Sequence, residues 1–330
     1  MAFHTRIRKK LESTDAAQTF IRGTKSIFIP GFRGFSLFEI WPLFIQQVRR
    51  TSLVERAAAI SFNVFMAIPP TLIFAFTLIP YLPISDRFIA ELFTLIRDVI
   101  PGEKNNSVII DFLDDFLTRP RNELLSFGLL LAIIFSSNAT MGVMRAFDKN
   151  YPGFVKRNSL KKRTTALKLT LIIFVLFFLL LTALVAHSAV LKLIGIESEL
   201  VRSMIHNFRW VIIFLLFFII VSFIYRFAPA VTVRWPHFTP GSVFATLLII
   251  IATLLVTYWV NNFSNYNKLY GSISAIFILM LLIYANSLAV LIGFELNVTI
   301  SNLQRKTAHR KMKEGQKSDR RIKLNPGRQP

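Results

Sequence analysis

Residues 169–190 contain no Asp, Glu, Lys or Arg, and the same is true of residues 124–144 and 241–260. A helix rises about 1.5 Å per residue, so an apolar run of about twenty residues crosses a hydrocarbon layer about 30 Å thick. A surface helix of a soluble domain would break such a run with a polar face. In lipid the backbone has to satisfy its own hydrogen bonds, and only helices and closed barrels manage this. The expected fold class is therefore all-α, a polytopic transmembrane helix bundle. Composition agrees, with 53% hydrophobic and only 17% charged residues in a chain of 330.

Six segments qualify as spans: 57–82, 124–144, 169–190, 210–225, 241–260 and 272–297. With the N-terminus inside, the inner pieces 1–56, 145–168, 226–240 and 298–330 hold 30 of the 39 Lys and Arg residues. Basic residues accumulate on cytoplasmic loops, so both termini are expected in the cytoplasm. The net charge of +21 then belongs to the membrane surface, with no specific nucleic acid as partner. No cleavable signal is expected, because Lys and Arg are scattered through the first fifty residues and the first apolar run acts as an uncleaved anchor.

The expected organisation is one membrane domain, 57–300, between a cytoplasmic segment 1–56 and a basic, disordered cytoplasmic tail 301–330. Within 1–56, "SLFEIWPLFIQQVRR" (36–50) is too short to span and is expected to lie at the interface as a helix, with Trp41 at headgroup depth. The outer insertion 83–123 carries Asp86, Glu91, Asp98, Glu103, Asp111, Asp114, Asp115 and Glu123 and has the periodicity of two amphipathic helices. Membrane lipids, with anionic inner-leaflet headgroups at the basic ends, are the expected partners. The oligomeric state is left open.

Polar residues inside the spans are the candidate functional residues. Glu295 falls roughly 13 Å below the middle of the last span, at its cytoplasmic edge. Arg56 opens the first span and Arg226 closes the fourth at the same level, so either is a candidate partner in an intramembrane charge pair; the headgroups are a third. Asn63, Asn286, Ser136, Ser137 and Asn138 are candidates for a polar path, with close helix packing as the alternative for the small hydroxyls. Pro69 and Pro70 are expected to kink the first span. The chain has no Cys, HExxH motif, Walker A loop or GxSxG, so no cofactor, metal site or catalytic constellation is expected and the chain reads as a non-enzyme.

Four blocks, in order, carry a family resemblance: "ERAAAISFNVFMAIPPTLIFAFTLIPYL" (55–82), "FSSNATMGVMRAFDKNY" (135–151), "YRFAPAVTVRWPHFTPGSVFATLL" (225–248) and "YGSISAIFILMLLIYANSLAVLIGFELN" (270–297). Together they resemble the YihY/virulence factor BrkB membrane proteins over roughly residues 40–300. The resemblance implies a bacterial inner-membrane protein of about six helices. Some members carry the label ribonuclease BN, which the residues do not support, since phosphodiester hydrolysis needs metal-binding carboxylates or His in proximity. Others are connected with export of lipid or lipopolysaccharide precursors and with serum resistance. The matching motif positions are Arg56, Ala57, Ala58, Asn63, Pro70, Arg145, Tyr225, Arg226, Pro229, Gly241, Tyr270, Gly271, Gly293, Glu295 and Asn297. Asp148 stands where the family pattern has Asn. The expected function is a transporter or flippase of a lipid-like or amphipathic substrate; the alternative is a non-transporting scaffold for envelope assembly.

Overall fold

The computed structural model describes residues 35–78, 122–148, 151–193, 214–262 and 273–324. Among them are seven helices and no strand: α1 (Leu37–Arg50), α2 (Leu53–Leu78), α3 (Asn122–Phe147), α4 (Ser159–Leu193), α5 (Phe214–Phe227), α6 (Pro240–Asn262) and α7 (Ile273–Leu324). By length and composition four stretches can cross a membrane, Leu53–Ala75, Leu125–Phe147, Pro240–Val260 and Ile276–Glu314, while α5 is a shorter apolar helix. The expected span 169–190 lies within α4, and that at 210–225 overlaps α5 from Phe214. The outer insertion lies outside the described residues, apart from the start of α3.

Small and hydroxylic residues set the helix contacts, as lipid offers no hydrophobic drive between helices. Where α2 meets α3, Gly142 lies under the Asn63 side chain, and Thr71 Oγ1 meets Ser136 Oγ at 3.2 Å. α3 meets α4 through Thr140 Oγ1 and Thr170 Oγ1, 2.8 Å apart, and through the Asp148–Lys162 ion pair at 2.7 Å. Pro69 and Pro70 leave α2 unbroken. They remove the amides that would bond the Phe65 and Met66 carbonyls.

α7 is the axis of one end of the bundle. Leu291, Phe294, Glu295 and Val298, at helical spacing, are all at most 1% exposed, and Leu296, Asn297 and Ile300 are buried on the other side. The surrounding elements are α1, the starts of α2 and α6, and the ends of α3 and α5. α1 lays Ile40 and Phe44 against Leu296 and Ile300, leaving Trp41 exposed. The Gly241 and Gly293 backbones touch where α6 crosses α7, and a Cβ on either would strike the other's carbonyl oxygen.

Beyond residue 300 the reading of a disordered tail gives way to helix as far as Leu324. Lys, Arg, Gln and Glu are good helix formers, and Arg310 pairs with Glu314 one turn on at 2.9 Å.

Candidate functional site at the basic end of the bundle

Phe294 and Glu295 are neighbours on α7 and organise this end in different ways. The Phe294 ring stacks on Phe147 of α3 with centroids 4.0 Å apart, and Tyr225, Trp235, Phe154 and Tyr151 ring it at 5.6–6.3 Å. The aromatic shell excludes water around the neighbouring carboxylate. Glu295 is fully buried and survives there by hydrogen bonding, as a buried charge must. Its Oε1 accepts from Arg56 Nη1 at 2.7 Å and from the Tyr151 hydroxyl at 2.7 Å, and its Oε2 accepts from Gln47 Nε2 at 3.1 Å.

Each donor arrives on a different element. Arg56 stands one turn into α2, where the helix dipole opposes a cation and a carboxylate offsets it. Gln47 comes from the last turns of α1, and Tyr151 from the segment between α3 and α4. Arg56 gives Glu295 one nitrogen only; its buried Nε and Nη2 have no partner among the described residues. Burial first, and then the charge of Glu295, pushes the Tyr151 hydroxyl above its ordinary pKa of 10.0, so it remains a donor at neutral pH.

Of the two candidate cations, the structure brings Arg56 to Glu295. Arg226 turns elsewhere: its Nη1 donates to the Trp235 carbonyl at 3.2 Å and its guanidinium carbon is 5.8 Å from the Phe227 ring centre. The five polar-path candidates do not converge. Asn63 Nδ2 donates to the Ala59 carbonyl of its own helix at 2.7 Å, and Asn286 Oδ1 accepts from Thr253 of α6 at 3.4 Å. Ser136 meets Thr71, Asn138 accepts from Arg163 at 2.5 Å, and Ser137 Oγ is buried with no partner among the described residues.

Other contacts tie the connecting segments together. Arg157 donates to the Ala228 carbonyl at 3.0 Å and the Pro229 carbonyl at 2.9 Å, closing the carboxyl end of α5 with a cation. Val155 N bonds Ala230 O at 2.7 Å, and Thr232 N bonds Gly153 O at 3.1 Å. Gly153, at φ 81, holds a backbone conformation that residues with a Cβ rarely adopt, and the Arg305 guanidinium lies over it. On α6, Thr239 and Ser242 cap each other reciprocally, with Ser242 N to Thr239 Oγ1 at 3.1 Å and Thr239 N to Ser242 Oγ at 3.2 Å. Asn297 of α7 locks onto that cap, accepting from Gly241 N at 3.0 Å and donating to Thr239 Oγ1 at 2.9 Å. The Tyr225 hydroxyl donates to the Val290 carbonyl at 2.5 Å. Gln47, Tyr151 and Arg157 escaped the sequence reading. The only cue to Tyr151 was its place closing the block that ends "FDKNY".

The bundle also holds a largely apolar cavity of about 410 Å³ between α2, α3, α4 and α5. Ile68 and Thr71 line it on either side of the Pro69-Pro70 pair, and Ser136, Thr140 and Thr170 supply hydroxyls on the α3–α4 wall. Ser136 is the one polar-path candidate among its lining residues. Among the described residues no group of three or more His, Cys, Asp or Glu gathers in a way that could hold a metal ion.

These features define a multi-helix membrane protein knotted at one end by a buried ionic and aromatic cluster. Residues 44–319 match the family described as Virulence factor BrkB, and the chain belongs to that family. It is 28% identical over 257 residues to a Bacillus subtilis (strain 168) protein named ribonuclease-like protein YfkH, covering 74% of this chain and 89% of that one. It is 24% identical over 275 residues to a UPF0761 membrane protein of Tolumonas auensis, covering 82% and 87%. A UPF0761 membrane protein of Xanthomonas axonopodis pv. citri is 22% identical over 253 residues, and there the match covers only 58% of the relative's length. No solved structure matches the chain.

Proposed function

We propose that this is a multi-pass bacterial inner-membrane protein, with both termini in the cytoplasm, that moves a lipid-like or amphipathic substrate across the bilayer. It is not an enzyme in this reading. The observation that carries the proposal is the 410 Å³ cavity between α2 and α5. Its size falls within the range of small-molecule sites, about 300–1,000 Å³, and its walls suit an acyl chain with a few hydroxyls to steady polar atoms. It borders the Pro69-Pro70 step, where α2 lacks two backbone hydrogen bonds and bends most cheaply.

The Glu295–Arg56 pair is the gate in this account. Glu295 accepts hydrogen bonds from α1, α2 and the 151–158 segment, so a change in its charge would weaken the contacts of all three with α7 together. The resemblance to proteins connected with lipid and lipopolysaccharide precursor export supports the same substrate class. The test is transbilayer movement of a headgroup-labelled phospholipid in vesicles holding wild type, Glu295→Gln or no protein. Movement in wild type, lost in a Gln variant that still folds, is the expected result. Wild type no faster than empty vesicles would remove the proposal. A scaffold for envelope assembly is the second reading, favoured by the basic extension of α7 beyond Ser301.

A further inference from the structure

A second cavity, of about 290 Å³, lies between the segment leading into α6 and the face of α7 bearing Asn297, Ser301 and Arg305. Arg234 and Arg305 both line it, and no carboxylate does. Arg234 is exposed; among the described residues it has no hydrogen bond or ion pair, only the Phe227 ring 5.8 Å from its guanidinium carbon. Arg305 is fixed in place by Thr232 Oγ1 at 3.1 Å. The carboxylates on adjoining elements are already taken, Glu295 by Arg56 and Asp148 by Lys162. The first turn of α6 adds the positive end of a 23-residue helix. Positive potential thus reaches the cavity from three sources without a counter-charge.

The rim indicates where the anion comes from. Val233 and Phe238, on the segment that forms one wall, are 74% and 76% exposed, and a candidate span begins at Pro240. Exposed apolar side chains beside a cationic pocket, at the end of a span, belong at headgroup depth. Guanidinium forks suit phosphate oxygens, which they can hold with two parallel hydrogen bonds.

We propose that this pocket binds a phosphate ester presented by a lipid headgroup, with Arg234 as the free ligand and Arg305 as the fixed one. The proposal goes beyond the transport reading and holds without it, because a protein that binds lipid here and moves none would sink transport alone.

The test is equilibrium binding to the full-length protein in neutral detergent, read by native mass spectrometry. The probes are phosphatidylglycerol, phosphatidylcholine and inorganic phosphate. Arg234→Gln is expected to weaken phosphatidylglycerol binding about tenfold, the scale of one lost charge-assisted contact. Lys313→Gln, which removes the same charge from the exposed part of α7, should leave it unchanged. Competition by inorganic phosphate would show that the phosphate group is what is recognised. Arginine-dependent binding of inorganic phosphate, with no such dependence for either lipid, would overturn the lipid as its source. Equal binding by wild type and Arg234→Gln, or equal weakening by both substitutions, would overturn the site.

Discussion

Glu295 is the residue on which this end of the molecule depends, and its surroundings fix what a substitution does. Removing one member of a buried ion pair leaves the other charge unpaired and costs about 3–5 kcal/mol. Arg56→Ala and Glu295→Ala are each expected to lower the melting temperature of the purified protein sharply. Arg56→Met with Glu295→Leu should recover much of that loss, since the double change leaves no orphan charge, but should not recover lipid movement. Recovery of both would reduce the pair to a packing device. Tyr151 adds a pH signature. The folded state holds the hydroxyl proton above the ordinary 10.0, so this stabilisation is full below that value and is lost as pH climbs through the folded pKa. Tyr151→Phe should therefore flatten the fall of melting temperature as pH rises above about 10. A cationic partner for Glu295 was legible because a carboxylate and a guanidinium at one depth have few other partners in lipid, but Arg56, Arg226 and the headgroups stood as alternatives and only the folded geometry selects Arg56. Gln47 was not, since it lies 248 positions from Glu295 on a helix outside the spans, and nothing in its own segment marks it.

At the scale of elements, the crossing of α6 on α7 tolerates least change. Gly241→Ala or Gly293→Ala places a methyl group against backbone on the opposing helix, and overpacking of this kind costs about 1–3 kcal/mol or more. Both variants are expected to melt earlier than Gly142→Ala, whose new Cβ has the Asn63 side chain as its nearest neighbour at 3.1–3.2 Å. Comparable melting of all three in detergent would contradict the crossing geometry. α7 itself, 52 residues and about 78 Å long, outruns any bilayer. Apolar runs made the spans readable, but charge density hid the helical extension: the basic composition that suggested disorder is equally that of a solvated helix with i,i+4 pairs. Truncation after Arg310 keeps Arg305 on Gly153 and removes the far part of that extension. It should leave lipid movement intact if the protein is a transporter, and abolish function if it is a scaffold.

For the whole molecule, the basic end is tied by hydrogen bonds and rings, whereas the cavity among α2, α3, α4 and α5 is walled mainly by apolar side chains. An end closed by an ion pair that can break and an interior walled mainly by apolar side chains suit a bundle that opens toward lipid. The cavity was not legible in sequence, because it is made by four helices whose spacing depends on Gly142, the Pro69-Pro70 step and hydroxyl contacts distributed along the chain. The most direct measurement is the rate at which headgroup-labelled phosphatidylglycerol crosses vesicles containing wild type or Ala139→Phe, a substitution that fills the cavity from α3. Movement above that in empty vesicles is expected for wild type, and the empty-vesicle rate for a folded Ala139→Phe variant. Equal rates in the two proteins would contradict it.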